Sequence, residues 1–365
     1  MLAPTTTHLL ALAAVLAGTA CAQYSYQPPR SSNRTASSYY NLTTHYDANN
    51  FFDTFDFFDQ PDPTHGFVQF VNKTTAYRDQ LAGFAGHAIY MGADSKTTNP
   101  PAGRKAVRLS SQKSFTHGLF IADMSHMPDS TCGVWPAFWM FGPDWPSSGE
   151  IDIIEGISTQ RKNQITLHTS DGCTITNAGT VNTTKLVSPV CDASKDSNAG
   201  CAQTTADETN YGRGFNQIGG GVYATEWTSD HIAVWFFPRN KIPRDVTSDN
   251  PDPSGWGPAL AQFNSGPGCT LDQHFKENNI VFDITFCGDW AGAVWSTDAQ
   301  CKGLAPTCQD YVTGNPTAFE TAYWLVNYIK VFDKVDKPNG GRGGRGVHGH
   351  GYGGLKRKAF RARRH

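Results

Sequence analysis

The chain has 365 residues, with 30 Lys and Arg against 32 Asp and Glu, for a net charge of −2. This near-neutral total hides an asymmetry, because the segment from Gly340 onward carries eight basic residues and no acidic one. The rest holds 22 basic and 32 acidic residues, a net of −10. This strongly negative charge argues against nucleic acid as a partner and favours a neutral or cationic partner. No apolar stretch of about 20 residues is present to span a membrane.

The N-terminal segment and the cysteines predict a secreted protein. Residues 1–22 contain an apolar run followed by Ala20-Cys21-Ala22, a pattern typical of a cleaved signal peptide. Outside this segment eight cysteines remain, an even set suited to disulfides, with no C-x-x-C pair that would indicate zinc. Eight cysteines allow 105 pairings, so the connectivity stays open. Four N-x-[ST] sequons begin at Asn33, Asn41, Asn72 and Asn182.

The remaining chain divides by composition into three parts. Residues 23–50 are polar, and we interpret them as a glycosylated lead-in. Residues 51–337 contain many short strand-like runs such as HGFVQFV, VWPAFWM and HIAVWFF, separated by Gly, Pro, Asn and Asp. They predict one all-β domain, a sandwich of two antiparallel sheets. Residues 338–365, rich in Gly and Arg, predict a disordered tail. Alternatives for this tail are a tether to an acidic wall polymer or a dibasic processing site.

One octapeptide, G-E-I-D-I-I-E-G at 149–156, places three carboxylates among three isoleucines. Side chains of a strand alternate between faces, so Glu150 and Asp152 share a face while Glu155 falls on the isoleucine face. Burying that glutamate would cost several kcal/mol unless it were paired. One extra residue among positions 152–154, a β-bulge, restores all three carboxylates to one face. The sequence therefore predicts a bulge, a feature over-represented beside active sites.

Three carboxylates on one face favour glycosidic bond hydrolysis. Retaining enzymes use a carboxylate nucleophile and a protonated carboxyl acid about 5–5.5 Å apart, and crowded negative charges raise the pKa of at least one carboxyl. The alternatives are a calcium site or a solvated acidic edge. Calcium sites usually draw ligands from flexible loops with carbonyls, which a strand with alternating isoleucines lacks. We predict catalysis with no metal and no cofactor.

Aromatic residues near the motif point to a sugar substrate, because their faces stack on the apolar face of a pyranose. Trp135, Trp139 and Trp145 precede the acids, and Trp290 lies in C-G-D-W-A-G. Any one of these tryptophans could instead be a core residue. His168 lies within a predicted short strand, Q-I-T-L-H-T, on the same face as Thr166, and a single histidine is more often structural than catalytic.

The octapeptide resembles the E-x-D-x-x-E signature of glycoside hydrolase family 16. The similarity extends through D-P-T-H-G-F-V, V-W-P-A-F-W-M, Q-I-T-L-H-T, G-G-V-Y-A-T-E-W-T-S, V-W-F-F-P-R and F-C-G-D-W-A-G, over roughly residues 45–335. These segments resemble secreted fungal laminarinase-type endo-1,3(4)-β-glucanases. The resemblance implies a β-jelly-roll sandwich with a concave substrate cleft.

The same resemblance implies site roles. Glu150 would be the nucleophile, Glu155 the general acid/base and Asp152 a hydrogen-bond partner of the nucleophile. His168, Trp139, Trp145 and Trp290 would bind substrate. The expected protein is a secreted, monomeric endo-β-1,3(4)-glucanase that hydrolyses laminarin-like glucans with retention of configuration. The alternatives are a cell-wall transglycosylase and a non-catalytic β-glucan-binding protein. Transglycosylating members tend to resemble the shorter E-x-D-x-E form.

Overall fold

The computed structural model describes residues 38–336. The predicted signal peptide, the first part of the lead-in and the basic tail lie outside these described residues. Within them, no helix is long and apolar enough to cross a membrane.

Eighteen strands form most of the described structure. In chain order they are β1 (Ser38–Tyr46), β2 (Phe55–Phe57), β3 (Val68–Phe70), β4 (Ala82–Ala85), β5 (Ala88–Gly92), β6 (Arg104–Ala106), β7 (Arg108–Phe115), β8 (Gly118–His126), β9 (Val134–Phe141), β10 (Glu150–Glu155), β11 (Gln164–His168), β12 (Lys185–Ser188), β13 (Cys201–Thr204), β14 (Gly221–Trp227), β15 (His231–Pro238), β16 (Ala261–Asn264), β17 (Asn278–Phe286) and β18 (Tyr323–Asp336).

Two large antiparallel sheets contain all but two of these strands. The cleft sheet has the order β12-β13-β11-β10-β9-β17-β7-β2. The back sheet has the order β16-β15-β14-β8-β18-β5-β4, with β1 paired to β18. Strands β3 and β6 form a separate parallel pair. The predicted all-β sandwich of two antiparallel sheets is therefore confirmed.

Helices are short and lie in the connections. The α-helices are α1 (Phe51–Thr54), α2 (Lys73–Arg78), α3 (Gly212–Gln217), α4 (Leu271–His274) and α5 (Cys308–Gly314). Single turns of 3-10 helix occur at Asp196–Asn198, Arg239–Lys241, Pro253–Gly255 and Pro316–Phe319, and a π-helical turn at Gly288–Gly292. The short helices agree with the sequence, which predicts an all-β domain.

The main hydrophobic core combines the inner faces of the two sheets. Ile151 and Leu167 of the cleft sheet and Phe120 and Val326 of the back sheet belong to it, each with at most 2% exposure. A second apolar cluster covers the outer face of the back sheet, where Val246 and Ala259 from the β15–β16 connection join Ile121 and Trp235. The carboxylate face of β10 points away from the main core, so it is free to form a site.

The folded domain begins earlier than residue 51, where the sequence placed its start. Strand β1 pairs with β18 from Ser38↔Asp336 to Tyr46↔Ile329. Its mostly polar composition concealed it, because most of its side chains are exposed or half-buried while Tyr40 and Tyr46 are buried. The eight cysteines outside the predicted signal form four disulfides, Cys132–Cys301, Cys173–Cys269, Cys191–Cys201 and Cys287–Cys308.

Candidate active site

The predicted bulge in β10 is confirmed by the strand register. On one side Asp152 pairs with Trp139, but Ile154 rather than Ile153 pairs with the next residue, Phe138. The pairing with β11 shifts over the same residues, between Asp152 and Glu155. Ile151, Ile153 and Ile154 are all fully buried. The extra residue thus lets the chain bury three isoleucines and still present its three carboxylates to the cleft.

Asn163, in the loop before β11, holds the bulge in place. Its side-chain amide donates to the carbonyl of Ile153 at 2.7 Å, and its Oδ1 accepts from the backbone N–H of Glu155 at 2.9 Å. The side chain is 1% exposed. A bulge removes backbone groups from the strand ladder, and buried groups need replacement partners. The sequence analysis missed Asn163, since nothing in a single asparagine indicates that it faces a distant pair of backbone groups.

The three carboxylates line one cleft of about 1040 Å³, together with residues of β7, β9, β11 and β17. Glu150 and Glu155 are partly exposed to this cleft, whereas Asp152 is buried. Burial, then the charge of Asp152, raises the pKa of Glu155 well above its usual value. Burial, then the charge and hydrogen bond of Glu150, also raises the pKa of Asp152. The site therefore favours protonated carboxyl groups near neutral pH.

His168 lies opposite Glu150 in the register of β10 and β11. Its Nε2 is 3.3 Å from Asp152 Oδ2, and its Nδ1 is 2.9 Å from Asn198 Oδ1. The ring is 7% exposed. Because Asn198 Oδ1 is an acceptor, Nδ1 carries the proton in this pair. The structure thus places His168 within the carboxylate cluster, and its part in substrate binding stays a prediction.

Three tryptophans of the cleft donate their indole N–H to carboxylates. Trp135 donates to Glu155 Oε1 at 2.9 Å, Trp139 to Asp283 Oδ2 at 3.0 Å, and Trp145 to Glu150 Oε2. Trp145 is 45% exposed, so its ring faces the open cleft. Trp290 meets Trp135 edge-on at 5.7 Å between ring centroids. The structure brings Trp139, Trp145 and Trp290 into one cleft, and their binding of substrate stays a prediction.

Asp283 and Arg108 form a part of the cleft that the sequence analysis missed. Burial raises the pKa of Asp283 to about 7, against the opposing charge of Arg108. The Arg108 guanidinium lies over the rings of Phe58 and Trp139, 4.8 and 4.9 Å from their centroids. Asp283 pairs with Ala137 across the β9–β17 pairing, two positions from the Val281–Trp139 pair, and lies in the hydrophobic run I-V-F-D-I-T-F. The position of an acidic residue inside this otherwise apolar strand is the sequence feature that could have identified Asp283 as a site residue.

The comparisons with known proteins agree with this geometry. Residues 55–332 match the family described as XgeA-like, catalytic GH16 domain. The chain belongs to glycoside hydrolase family 16. The family resemblance seen in the sequence is therefore confirmed, and the two antiparallel sheets are the jelly roll of this family.

Relatives of this family 16 chain include glucanases and a glucosyltransferase. An endo-1,3(4)-beta-glucanase of Arthroderma benhamiae is 44% identical over 281 residues, 76% of this chain and 61% of that protein. Laminarinase 16A of Phanerochaete chrysosporium, solved with 6-O-glucosyl-laminaritriose in donor and acceptor sites, is 39% identical with a TM-score of 0.76. That match covers 80% of this chain and 99% of the solved one. An elongating family 16 beta-1,3-glucosyltransferase is 40% identical, with a TM-score of 0.74 and coverages of 80% and 100%. The chain spans less than two thirds of the Arthroderma protein.

Proposed function

We propose that this family 16 protein is a retaining endo-β-1,3(4)-glucanase that hydrolyses laminarin-like and mixed-linkage glucans. The observation that carries the proposal is the bulged strand β10, which presents Glu150, Asp152 and Glu155 to a single cleft. The tryptophans of that cleft supply the flat apolar faces that sugar rings stack on. The glucanase and laminarinase relatives support a β-glucan as substrate.

The proposed mechanism assigns one step to each carboxylate. Glu155, whose raised pKa keeps it protonated, donates its proton to the glycosidic oxygen while Glu150 attacks the anomeric carbon. The leaving sugar departs and a glycosyl–Glu150 ester remains. Glu155, now ionised, takes a proton from water, which attacks the same carbon and releases Glu150. Asp152 hydrogen-bonds Glu150 and holds it in position.

Glu150→Ser is the variant that tests the nucleophile. We expect it to abolish release of reducing ends from laminarin while binding of laminari-oligosaccharides is retained. Trp290→Phe is the control. It changes the cleft wall but leaves the three carboxylates intact, so release of reducing ends should not be abolished. Hydrolysis by the serine variant would contradict the role of Glu150. Proton NMR of early products tests retention, with the β-anomer expected first, and an early α-anomer would contradict double displacement.

Transglycosylation is the second candidate, since a solved relative at 40% identity is an elongating glucosyltransferase. A sugar hydroxyl can attack the glycosyl–Glu150 intermediate in place of water, which transfers the glycosyl group to that sugar. Adding a laminari-oligosaccharide acceptor distinguishes the two, because transfer yields products longer than the donor. Products confined to shorter oligosaccharides would leave hydrolysis as the activity.

We also propose that the protein is secreted and glycosylated. The four disulfides support this, because disulfides persist in oxidising compartments. Asn41, Asn72 and Asn182, three of the predicted acceptor sites, are exposed on the surface. A mass shift on treatment of the secreted protein with an N-glycosidase tests the proposal, and an unchanged mass would contradict glycosylation.

A further inference from the structure

The carboxylate cluster contains a buried oxygen without a hydrogen-bond partner. Asp152 is 1% exposed, and its Oδ2 accepts no hydrogen bond from any residue of the described range 38–336. The same oxygen lies 3.3 Å from His168 Nε2. A carboxyl oxygen and an imidazole nitrogen lone pair this close need either a proton or a metal ion between them, so this pair of atoms is suited to hold a cation.

His168 is oriented for this purpose by the loop between Cys191 and Cys201. Asn198 in this loop accepts from Nδ1–H at 2.9 Å, which leaves the Nε2 lone pair directed at Asp152. Metal-binding histidines almost always donate their other ring N–H in this manner, which fixes the tautomer and the ring orientation. A disulfide joins Cys191 to Cys201 and closes the loop.

Glu150 supplies a third ligand atom. One carboxylate oxygen each of Glu150 and Asp152 and one ring nitrogen of His168 all lie within 4.8 Å of one another. Ligands about 2.0–2.1 Å from a tetrahedral zinc ion are roughly 3.3–3.4 Å apart. The separation of His168 Nε2 from Asp152 Oδ2 already has this value. Glu150 is partly exposed and lines the cleft, so its side chain has space to move toward the other two ligands.

We propose that Glu150, Asp152 and His168 bind a borderline divalent transition-metal ion, such as Zn²⁺, and that the bound ion blocks the active site. Two carboxylates and one imidazole, with a fourth position open to the cleft, are ligands suited to Zn²⁺ and Cu²⁺. Calcium needs six to eight oxygen ligands, and this cluster does not offer them. The ion is an inhibitor rather than a cofactor, because it occupies the carboxylate that attacks the sugar.

Binding and inhibition rest on different grounds. Metal binding depends only on the three side chains and Asn198. Inhibition rests on the proposed function, since a metal ion on Glu150 matters to hydrolysis only if Glu150 is the nucleophile. The experiment therefore measures binding without reference to activity and then measures hydrolysis separately.

Calorimetric titration of zinc chloride into the full chain tests the site. The parent protein for every titration carries the substitutions His348→Ala and His350→Ala, and it is called the background protein. They are needed because H-G-H in the tail offers a separate pair of imidazoles to zinc. We expect one bound ion per chain and no heat of binding with calcium chloride. His168→Ala should weaken binding at least tenfold. Asn198→Ala, which retains all three ligands, should weaken it about tenfold.

His65→Ala is the matched control, because His65 also pairs with an aspartate, at 2.9 Å from Asp289, but is exposed and outside the carboxylate cluster. Its zinc affinity should equal that of the background protein. Loss of binding in this control, or unchanged binding in both His168→Ala and Asn198→Ala, would overturn the proposed site. In hydrolysis assays zinc should inhibit competitively with laminarin, and a chelator should restore the rate. Zinc binding at His168 with undiminished hydrolysis would instead overturn the role of Glu150.

Discussion

The indole N–H of Trp135 adjusts the acid catalyst directly, since its hydrogen bond to Glu155 opposes the rise in pKa that burial causes. Trp135→Phe keeps an aromatic ring but removes the donor. We therefore expect the pKa of Glu155 to rise further, and the alkaline limb of the kcat/KM profile to move to higher pH. The measurement is a pH–rate profile on laminarin. Trp290→Phe removes an indole that donates no hydrogen bond to Glu155 among the described residues, and a limb that moves equally in this control would contradict the assignment.

We expect Asp283 to make the stability of the protein depend on pH. Burial raises the pKa of Asp283 from its ordinary value of 3.8 to about 7 in the folded state. The folded state therefore binds the proton more tightly than the unfolded state does. Its contribution to stability is present below about pH 4 and is lost as the pH rises to about 7. Asp283→Asn cannot ionise. Relative to the parent, we expect its unfolding free energy to rise by up to roughly 1.4 kcal/mol per pH unit across this window.

Denaturant unfolding of both proteins at several pH values measures this difference. The comparison at pH 4 is the internal control, because Asp283 is then neutral in the folded parent and carries no penalty for ionising in the folded state. Arg108 loses a carboxylate neighbour in the variant but retains the aromatic faces of Phe58 and Trp139. A stability difference that is constant from pH 4 to pH 8 would contradict the assigned pKa.

At the scale of the element, strand β10 and Asn163 act as one unit. Asn163→Ala leaves the carbonyl of Ile153 and the N–H of Glu155 buried without partners, at about 1–3 kcal/mol each. We expect the unfolding free energy to fall by roughly 2–6 kcal/mol. We also expect kcat to fall more than KM changes, because Glu155 loses its position relative to the bond it protonates.

Gln160→Ala is the control for this prediction. Gln160 lies in the same loop and donates to the carbonyl of Lys162 at 2.7 Å, rather than to the backbone of the bulge. Its loss should change stability by less than about 1.5 kcal/mol. Equal kinetic effects of the two substitutions would show that the loop as a whole, rather than the bulge, positions Glu155.

The sequence could predict the bulge but not the residue that holds it. Side chains alternate between faces within a single strand, so the isoleucines and carboxylates of β10 alone are enough to predict the bulge. Asn163 acts across the β10–β11 connection, and Asp283 acts from a strand more than 120 residues later in the chain. Such contacts depend on which strands are neighbours, and the octapeptide itself does not specify its neighbours.

At the scale of the whole molecule, the sequence predicted the class of fold better than its limits. Runs with apolar alternation identify strands of the two sheets because one face of each is buried in the core. Strand β1 has few buried residues, so its composition resembled a linker although it pairs with β18 along most of its length. The disulfide pairing likewise remained open, because it follows from which loops meet in space.

Two of the four disulfides, Cys132–Cys301 and Cys191–Cys201, should differ in their effects on stability and on activity. Cys132 and Cys301 are 169 residues apart, whereas Cys191 and Cys201 are 10 apart. If a disulfide acts by restricting the unfolded chain, replacing the long-range pair by serines should lower the unfolding free energy by about 5 kcal/mol, and replacing the short-range pair by about 3 kcal/mol.

Activity should show the opposite order. The Cys191–Cys201 loop carries Asn198, which orients His168. Loss of the Cys191–Cys201 disulfide should therefore lower kcat at temperatures where the protein is still folded. The long-range variant, Cys132→Ser with Cys301→Ser, should retain kcat until it begins to unfold. Thermal unfolding and laminarin hydrolysis of the two double variants provide the comparison. If the variant with the larger loss of stability also has the larger loss of kcat at low temperature, the Cys191–Cys201 loop does not position the site.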